Sequence, residues 1–280
     1  MITELKNIKL RDGISLSAQI SEKGYKKWLI VTHGLGEHSG RHSYLYDLFS
    51  QYFNICIYDL RGHGKSGGKK AYVENFKDFV KDLDEVIYYL KDNFAMTEYC
   101  LFGHSMGGLI TASFMQNEVE KDFYPSKVFL SSPAVAGAGT LGQAFKIAPS
   151  KVLGSLKSIP FSVPVAGLLD LSGLSHDPRV YESYILDELN MLKVHTKLFL
   201  ELLAEAKDVF SRPLRVSCDL YCSIGMKDKI VDPSSVIKYF TQIEKNAQLF
   251  KIQGSFHEPH NEISKYREPY FEYLKASLLS

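Results

Sequence analysis

The most informative segment of the sequence is Gly103-His104-Ser105-Met106-Gly107-Gly108. It follows a strand-like run at residues 99–102 and precedes a helical pattern at residues 106–118. Gly-x-Ser-x-Gly between a strand and a helix is typical of a serine nucleophile held on a tight turn. The glycines let strand and helix approach closely, and the strained turn directs the hydroxyl away from the backbone. The segment therefore predicts that Ser105 is a nucleophile at the carboxyl end of a strand.

Strand-like and helical patterns alternate on both sides of this segment. The strand-like runs cover residues 14–20, 28–32, 55–58, 99–102, 127–131, 219–223 and 248–252. The helical patterns cover residues 43–51, 76–93, 106–118, 233–243 and 261–279. Such alternation predicts an α/β fold whose mostly parallel sheet carries helices on both faces. A turn at Gly13 predicts an antiparallel hairpin at the edge of that sheet.

The alternation fails between residues 132 and 213. The first half of this stretch is rich in glycine, proline, serine and apolar residues, and its second half, residues 181–209, has a helical pattern. Its length of about 80 residues is far greater than the usual connection of roughly 4–6 residues. We therefore predict a core formed by residues 1–133 and 213–280, and a mainly helical cap inserted as residues 134–212 over the carboxyl edge of the sheet.

Two histidines are candidates for the base that a serine nucleophile requires. In a fold of this kind the expected chain order is serine, then aspartate or glutamate, then histidine, which leaves His257 and His260. His257 directly follows a predicted strand and a turn, so we prefer it. His260 lies three residues further on, and the alternative interpretation is that it is a surface or cap-region histidine.

The acid that orients the base is predicted at Asp228, just past the strand-like run 219–223. A carboxylate there can fix the tautomer of the imidazole and stabilise the imidazolium. Asp232 is the alternative, but it stands at the head of a predicted helix, where an N-cap role accounts for it. We therefore predict a catalytic triad of Ser105, Asp228 and His257.

A glycine-rich loop, Thr32-His33-Gly34-Leu35-Gly36-Glu37-His38, follows the predicted strand 28–32. Acyl transfer passes through a tetrahedral oxyanion, which needs two preorganised N–H donors. One donor is expected from Met106, the residue after the nucleophile, and the other from this loop. Glycines on both sides of Leu35 allow its amide to turn inward, so we predict that Leu35 and Met106 form the oxyanion hole.

Five ordered segments resemble the monoacylglycerol lipase and lysophospholipase group of α/β hydrolases, also described as serine aminopeptidase-like (S33-type). They are HGLGEHSGR (33–41), YDLRGHGKS (58–66), GHSMGG (103–108), KDKIVDP (227–233) and HEPHNE (257–262). The resemblance runs nearly end to end. It implies the α/β-hydrolase fold, with a mostly parallel eight-stranded sheet, helices on both faces and an inserted cap.

The resemblance also implies roles for particular positions. Ser105, Asp228 and His257 match the triad of the family, and Leu35 and Met106 match its oxyanion positions, in agreement with the predictions made from the residues.

Three further positions are assigned to substrate binding by the resemblance. Glu37 and Arg41 match residues near the polar, glycerol end of the substrate pocket, and His104 precedes the nucleophile. The segment 59–63 matches residues that brace the loops around the site.

The cap is predicted to select the acyl part of the substrate, because each buried methylene contributes roughly 0.8 kcal/mol. Its candidate lining residues are Phe145, Val152, Leu153, Leu156, Ile159, Phe161, Val163, Val165, Leu168 and Leu169. We therefore predict a serine carboxylester hydrolase that cleaves monoacylglycerol or lysophospholipid-type esters through an acyl-enzyme intermediate. A small-ester carboxylesterase or a thioesterase of the same fold is the alternative. An alternative of another class is a catalytically silent hydrolase fold that binds a ligand or a protein.

Composition limits the other classes of function. The 280 residues carry a formal net charge of +1, which gives no basic footprint for nucleic acid. Cys218 and Cys222 lie four residues apart, which is not a common zinc spacing, so no metal or cofactor is predicted. The start lacks a signal-peptide pattern, and no apolar run reaches the roughly 18–20 residues of a spanning helix, so we expect a cytoplasmic protein. Peripheral membrane contact through the cap, and the oligomeric state, are left open.

Overall fold

The computed structural model describes residues 3–139, 162–168 and 170–280. In chain order, the strands in these residues are β1 Glu4–Lys9, β2 Ser15–Ser21, β3 Lys27–Thr32, β4 Asn54–Tyr58, β5 Glu98–His104, β6 Lys127–Ser131, β7 Pro164–Ala166, β8 Lys193–His195, β9 Asp219–Gly225 and β10 Gln248–Ile252. Eight of them form one sheet in the spatial order β1-β2-β4-β3-β5-β6-β9-β10.

The large sheet is parallel from β4 to β10 and antiparallel where β2 pairs with β1 and β4. The edge hairpin turns at Gly13, which has φ 89° and donates its N–H to Leu10 O at 3.0 Å. Every residue of β4 and β6 is buried, as expected for parallel strands covered on both faces. The predicted fold, with its mostly parallel eight-stranded sheet and edge hairpin, is confirmed.

Helices cover both faces of this sheet. Among the described residues they are, in chain order, α1 Tyr44–Phe49, α2 Lys77–Phe94, α3 Met106–Asn117, α4 Pro178–Leu186, α5 Thr196–Val209, α6 Pro233–Lys238 and α7 Ser264–Leu279. Short 3₁₀ turns occupy Ser39–His42, Leu171–Gly173 and Pro259–Asn261, and a π-type turn, Tyr239–Ile243, continues α6.

Alternate residues of β3 define the two layers of the core. Trp28 and Ile30 pack in one hydrophobic cluster with residues of α2 and α3. Leu29 and Val31 pack in a second cluster with residues of α1 and α7. Successive side chains of a strand point to opposite faces, so the sheet separates the two clusters. The loops at the carboxyl edge of the sheet therefore rest on strands that are packed on both faces.

The stretch between β6 and β9 contains the residues that the sequence assigns to the cap. Its described part holds β7, α4, β8 and α5, and β7 pairs antiparallel with β8 in a separate two-stranded sheet. The prediction of a helical pattern throughout residues 181–209 is wrong across 187–195. There Asp187 adopts an extended backbone, with φ −81° and ψ 112°, and ends α4. Residues 140–161 and residue 169 lie outside the described residues, and with them seven predicted lining residues: Phe145, Val152, Leu153, Leu156, Ile159, Phe161 and Leu169.

Candidate active site

Ser105 occupies the sharp turn between β5 and α3. Its φ of 53° and ψ of −116° lie in a region that residues with a side chain rarely adopt. Its N–H donates to Ser131 O of the neighbouring strand at 2.9 Å. A Cβ on Gly107 would lie 2.1 Å from Thr32 O, and one on Gly103 would lie 2.5 Å from Gly107 O. The two glycines are therefore required sterically, because strand, helix and the end of β3 meet at this turn.

The structure brings together the three side chains that the sequence predicts as nucleophile, base and acid. His257 Nε2 lies 3.0 Å from Ser105 Oγ, and His257 Nδ1 lies 2.7 Å from Asp228 Oδ2. With the proton on Nδ1, His257 donates to Asp228 and accepts the hydroxyl proton of Ser105. Asp228 Oδ1 accepts from the N–H groups of Ile230 and Val231 at 2.8 and 2.9 Å, which fixes the carboxylate.

The environment of His257 raises the pKa of its ring. The side chains of His257 and Asp228 are almost wholly buried. Burial alone would lower the pKa of His257, but the charge of Asp228 and its hydrogen bond outweigh this and raise the pKa above its ordinary value. The loop that carries His257 is also held by the stretch between β6 and β9, because His257 N–H donates to Gly173 O at 3.2 Å. The ring is thus held where it can take a proton from Ser105 and remain stable as an imidazolium.

A cavity of about 380 Å³ lies over Ser105. Its lower wall comes from loops at the carboxyl edge of the sheet, and its upper wall from the stretch between β6 and β9. That upper wall is mainly apolar and includes Leu168, Leu171, Leu174, Phe199, Leu202 and Leu203. Of the predicted lining residues that are described, Leu168 lines the cavity. Val163 and Val165 instead lie at the small two-stranded sheet, and Val163 is 38% exposed.

Leu35 and Met106, the predicted oxyanion residues, both line the cavity beside Ser105. The loop that carries Leu35 touches the nucleophile closely, because a Cβ on Gly34 would lie 3.2 Å from Ser105 Cβ. Glu37 Oε1 accepts from Gly34 N–H at 2.5 Å and so holds the loop in this position. Both backbone segments therefore lie at the cavity beside Ser105, and the role of their amides as an oxyanion hole stays a prediction.

Glu37 is a buried carboxylate that lines the cavity and is surrounded by donors. Besides Gly34, it accepts from His42 Nε2 at 3.0 Å and from Arg41 Nε at 3.2 Å. Burial would raise the pKa of Glu37, but His42, His104 and Arg41 together hold it well below its ordinary value. Glu37 is therefore charged and carries out a structural task in the loop as well as facing the cavity.

Arg41 is not among the residues that line the cavity, and its predicted contact with the substrate stays a prediction. Its Nη2 donates to Glu258 Oε2 at 2.5 Å, and its guanidinium lies 4.8 Å from the centre of the Tyr184 ring. Glu258 lines the cavity next to His257 and is buried. The sequence reasoning missed Glu258, although it follows directly after the predicted base.

His104 lines the cavity as predicted, and burial holds its pKa well below the ordinary value. Its ring centre lies 5.1 Å from those of His257 and His260. The alternative interpretation of His260 as a surface residue is wrong, because His260 is only 3% exposed and stacks on Tyr44. Neither ring nitrogen of His260 has a hydrogen-bond partner among the residues that the structure describes.

Asp232 and the segment 59–63 have the structural roles that the sequence indicates. Asp232 caps α6 by accepting from the N–H groups of Ser234 and Ser235. Asp59 accepts from the N–H groups of Ser39 and Lys65 at 2.7 and 2.8 Å, and so ties two loops of the site together.

Within residues 3–139, 162–168 and 170–280, three or more histidine, cysteine, aspartate or glutamate side chains nowhere meet in an arrangement that could hold a metal ion. No described helix is both long enough and apolar enough to cross a membrane.

Comparisons with known proteins agree with the architecture. The sequence profile of the family described as serine aminopeptidase, S33, matches residues 24–264. The monoacylglycerol lipase of Mycolicibacterium smegmatis is 27% identical over 241 residues, which cover 84% of this chain and 82% of that protein. An uncharacterised abhydrolase domain-containing protein of Dictyostelium discoideum is 25% identical over 272 residues, and the chain spans 28% of its length. The crystal structure of Paleococcus ferrophilus monoacylglycerol lipase superposes with a TM-score of 0.79 at 26% identity, covering 94% of this chain and 99% of that one.

Proposed function

Since the chain belongs to the serine aminopeptidase S33 family of hydrolases, we propose that it is a serine carboxylester hydrolase. We further propose that it cleaves monoacylglycerol or lysophospholipid-type esters. The observation that carries the proposal is the continuous line of hydrogen bonds from Ser105 through His257 to Asp228 at the floor of an apolar cavity.

The first chemical step is attack of Ser105 Oγ on the ester carbonyl. His257 Nε2 takes the hydroxyl proton as the new O–C bond forms, and the Asp228 carboxylate stabilises the imidazolium that results. The raised pKa of His257 supports this role, because the ring must hold the proton until the alcohol leaves.

The tetrahedral oxyanion then forms beside the amides of Leu35 and Met106. Both residues border the cavity next to Ser105, and the Glu37 carboxylate holds the loop before Leu35 in place. Preorganised N–H donors of this kind typically contribute about 10²–10³-fold to the rate per donor. Collapse of the intermediate expels the alcohol, which takes its proton from His257 and leaves an acyl-enzyme.

Water completes the cycle by the same route. His257 removes a proton from a water molecule, the hydroxide attacks the acyl carbonyl, and the second tetrahedral intermediate releases a fatty acid and restores Ser105. The ester bond is exchanged for a carboxylic acid and an alcohol with no change of oxidation state, so the reaction needs no cofactor.

Residues 134–212 act as the cap in this proposal. Leucine and phenylalanine side chains of this stretch form the upper wall of the cavity, including Leu168, Phe199 and Leu203. Each methylene of an acyl chain buried there contributes roughly 0.8 kcal/mol, which favours long-chain over acetyl esters. The names of the Mycolicibacterium and Paleococcus relatives support a monoacylglycerol as substrate.

The decisive experiment combines a fluorophosphonate probe with a substrate panel. We expect the probe to label Ser105, and Ser105→Ala to lose labelling together with about 10⁴-fold or more of the ester hydrolysis. On the panel, long-chain monoacylglycerols and lysophosphatidylcholine should be cleaved faster than p-nitrophenyl acetate and acyl-CoA thioesters.

Each alternative gives a different outcome. Faster cleavage of the acetyl ester would identify a small-ester carboxylesterase, and faster cleavage of acyl-CoA would identify a thioesterase. A folded protein that the probe does not label would be a catalytically silent binding protein. Gln51, which precedes the amino end of β4 and does not line the cavity, offers a matched control, since Gln51→Ala should leave labelling and turnover unchanged.

A further inference from the structure

We propose that Glu258 is a specificity-determining residue at the polar end of the cavity. Its carboxylate favours esters whose alcohol part is cationic or uncharged over esters whose alcohol part is anionic. The inference rests on the proposed ester hydrolysis at Ser105 and concerns the part of the substrate that leaves as the alcohol.

The position of the Glu258 carboxylate is fixed by its neighbours. Its N–H donates to Leu174 O at 2.9 Å, while Oε2 accepts from Arg41 Nη2 at 2.5 Å and from Asn261 Nδ2 at 2.7 Å. Both side-chain bonds end on Oε2, and within the described residues Oε1 has no hydrogen-bond partner. Glu258 borders the cavity beside His257, so this second oxygen is available to a donor on a bound ester.

Arg41 does not offer a compensating positive charge to the substrate. Its guanidinium is shared between Glu258 and Glu37, at 2.5 and 3.2 Å, and Arg41 is not among the residues that line the cavity. Two carboxylates therefore share this one guanidinium.

The charged side chains that line the cavity are mostly negative. Among the described residues it includes three carboxylates, Glu37, Asp170 and Glu258, and one ammonium group, that of Lys229. The Lys229 Nζ is already engaged above the ring of Phe256, 4.5 Å from its centre.

Charge decides which alcohol groups fit such a surface. A hydroxyl or a cation can interact with the Glu258 carboxylate in charge-assisted contact. A phosphate monoester would enter a buried region whose described charged lining consists of three carboxylates and one ammonium group, which is costly. The geometry therefore favours an alcohol part that carries glycerol hydroxyls or a quaternary ammonium group, as in a monoacylglycerol or lysophosphatidylcholine. It disfavours an alcohol part that carries a phosphate monoester and no cation of its own.

The test uses two esters of equal shape and different charge. An acylcholine and the 3,3-dimethylbutyl ester of the same fatty acid differ only in nitrogen for carbon. We expect the wild-type kcat/KM to favour the choline ester by roughly tenfold or more, and Glu258→Gln to bring the ratio close to one. The glutamine side chain can still accept from Arg41 and Asn261 through its oxygen.

A phosphate-bearing pair provides a second arm. The two substrates are a monoacylglycerol and its 3-phosphate. Glu258→Gln should raise the ratio of kcat/KM for the 3-phosphate to kcat/KM for the monoacylglycerol roughly tenfold. Asp187→Asn is the matched control, because Asp187 binds His38 and does not line the cavity. It removes one negative charge and should leave both ratios at their wild-type values.

Several outcomes would overturn the proposal. They are an equal effect of Glu258→Gln on both members of each pair, an equal shift by Asp187→Asn, or a wild-type choline preference of one. If Glu258→Gln does not fold, the wild-type ratio still decides, because a choline preference of one would exclude an effect of the carboxylate. Failure of the proposed hydrolysis is recognisable separately, since neither ester would then be cleaved and the fluorophosphonate would not label Ser105.

Discussion

His257 and His260 lie three residues apart, one in the loop after β10 and the other in the 3₁₀ turn that follows it. Each is 3% exposed, yet the pKa of His257 is raised and that of His260 is held well below its ordinary value. Burial lowers both pKa values, but only His257 has a carboxylate, that of Asp228, against its ring. Burial thus sets the cost of protonation, and the partner determines whether a ring can accept a proton at all.

The largest expected effect is the difference in kcat between variants of His257 and of His260. His257→Gln removes the group that accepts the Ser105 proton, so we expect kcat for a chromogenic ester to fall by about 10⁴-fold or more. His260→Gln should keep kcat within about tenfold of the wild type, because no reacting atom contacts this ring. Rates are compared after active-site titration, and losses of similar size in the two variants would contradict the distinction.

A smaller effect concerns the partner itself. Asp228→Asn should lower kcat by roughly 10³–10⁴-fold, because the ring loses its oriented tautomer and its stabilising charge. The rising limb of kcat/KM against pH should move to lower pH, since the Asp228 carboxylate is what raises the pKa of His257.

Asp232→Asn is the matched control for this experiment. Asparagine also caps helices well, and Asp232 is bound to the first turn of α6, so activity and its pH profile should be unchanged. A loss of activity in Asp232→Asn comparable with that in Asp228→Asn would move the acid to Asp232.

The smallest expected effect is on stability. The pKa of His260 is lowered in the folded state, so the unfolded chain binds a proton first as pH falls below about 6.5, and stability is lost over that range. His260→Phe keeps a ring on Tyr44 and cannot titrate. The free energy of unfolding is measured in urea at pH 7.5 and at pH 5.5 for both proteins. We expect the decrease between the two pH values to be roughly 1 kcal/mol smaller in His260→Phe than in the wild type. Equal losses would show that His260 titrates normally.

Much of the fold and the core of the site follow from local patterns in the sequence. The strand–glycine–helix pattern around Ser105 reflects a local steric requirement, since a side chain at Gly107 would overlap Thr32. Chain order and strand ends then place Asp228 and His257 at the same edge of the sheet. These inferences succeed because each depends on residues that are close in the sequence or on the direction of parallel strands.

The errors have a different physical origin. The break after α4 depends on contacts between distant residues, because Met191 N–H donates to Gly36 O at 2.7 Å. Glu258 and Arg41 lie 217 positions apart in the chain, so their ion pair leaves no local pattern. The burial of His260 likewise depends on Tyr44, which begins α1 and is far from His260 in the sequence.

The backbone at Ser105 has a consequence for how this protein could change over generations. With φ at 53°, position 105 is one where glycine would relax the chain and increase stability. A library of variants selected only for resistance to heat should therefore enrich glycine at this position and lose the hydroxyl group. Retention of serine at 105 is favoured only when selection acts on turnover as well as on survival of the fold.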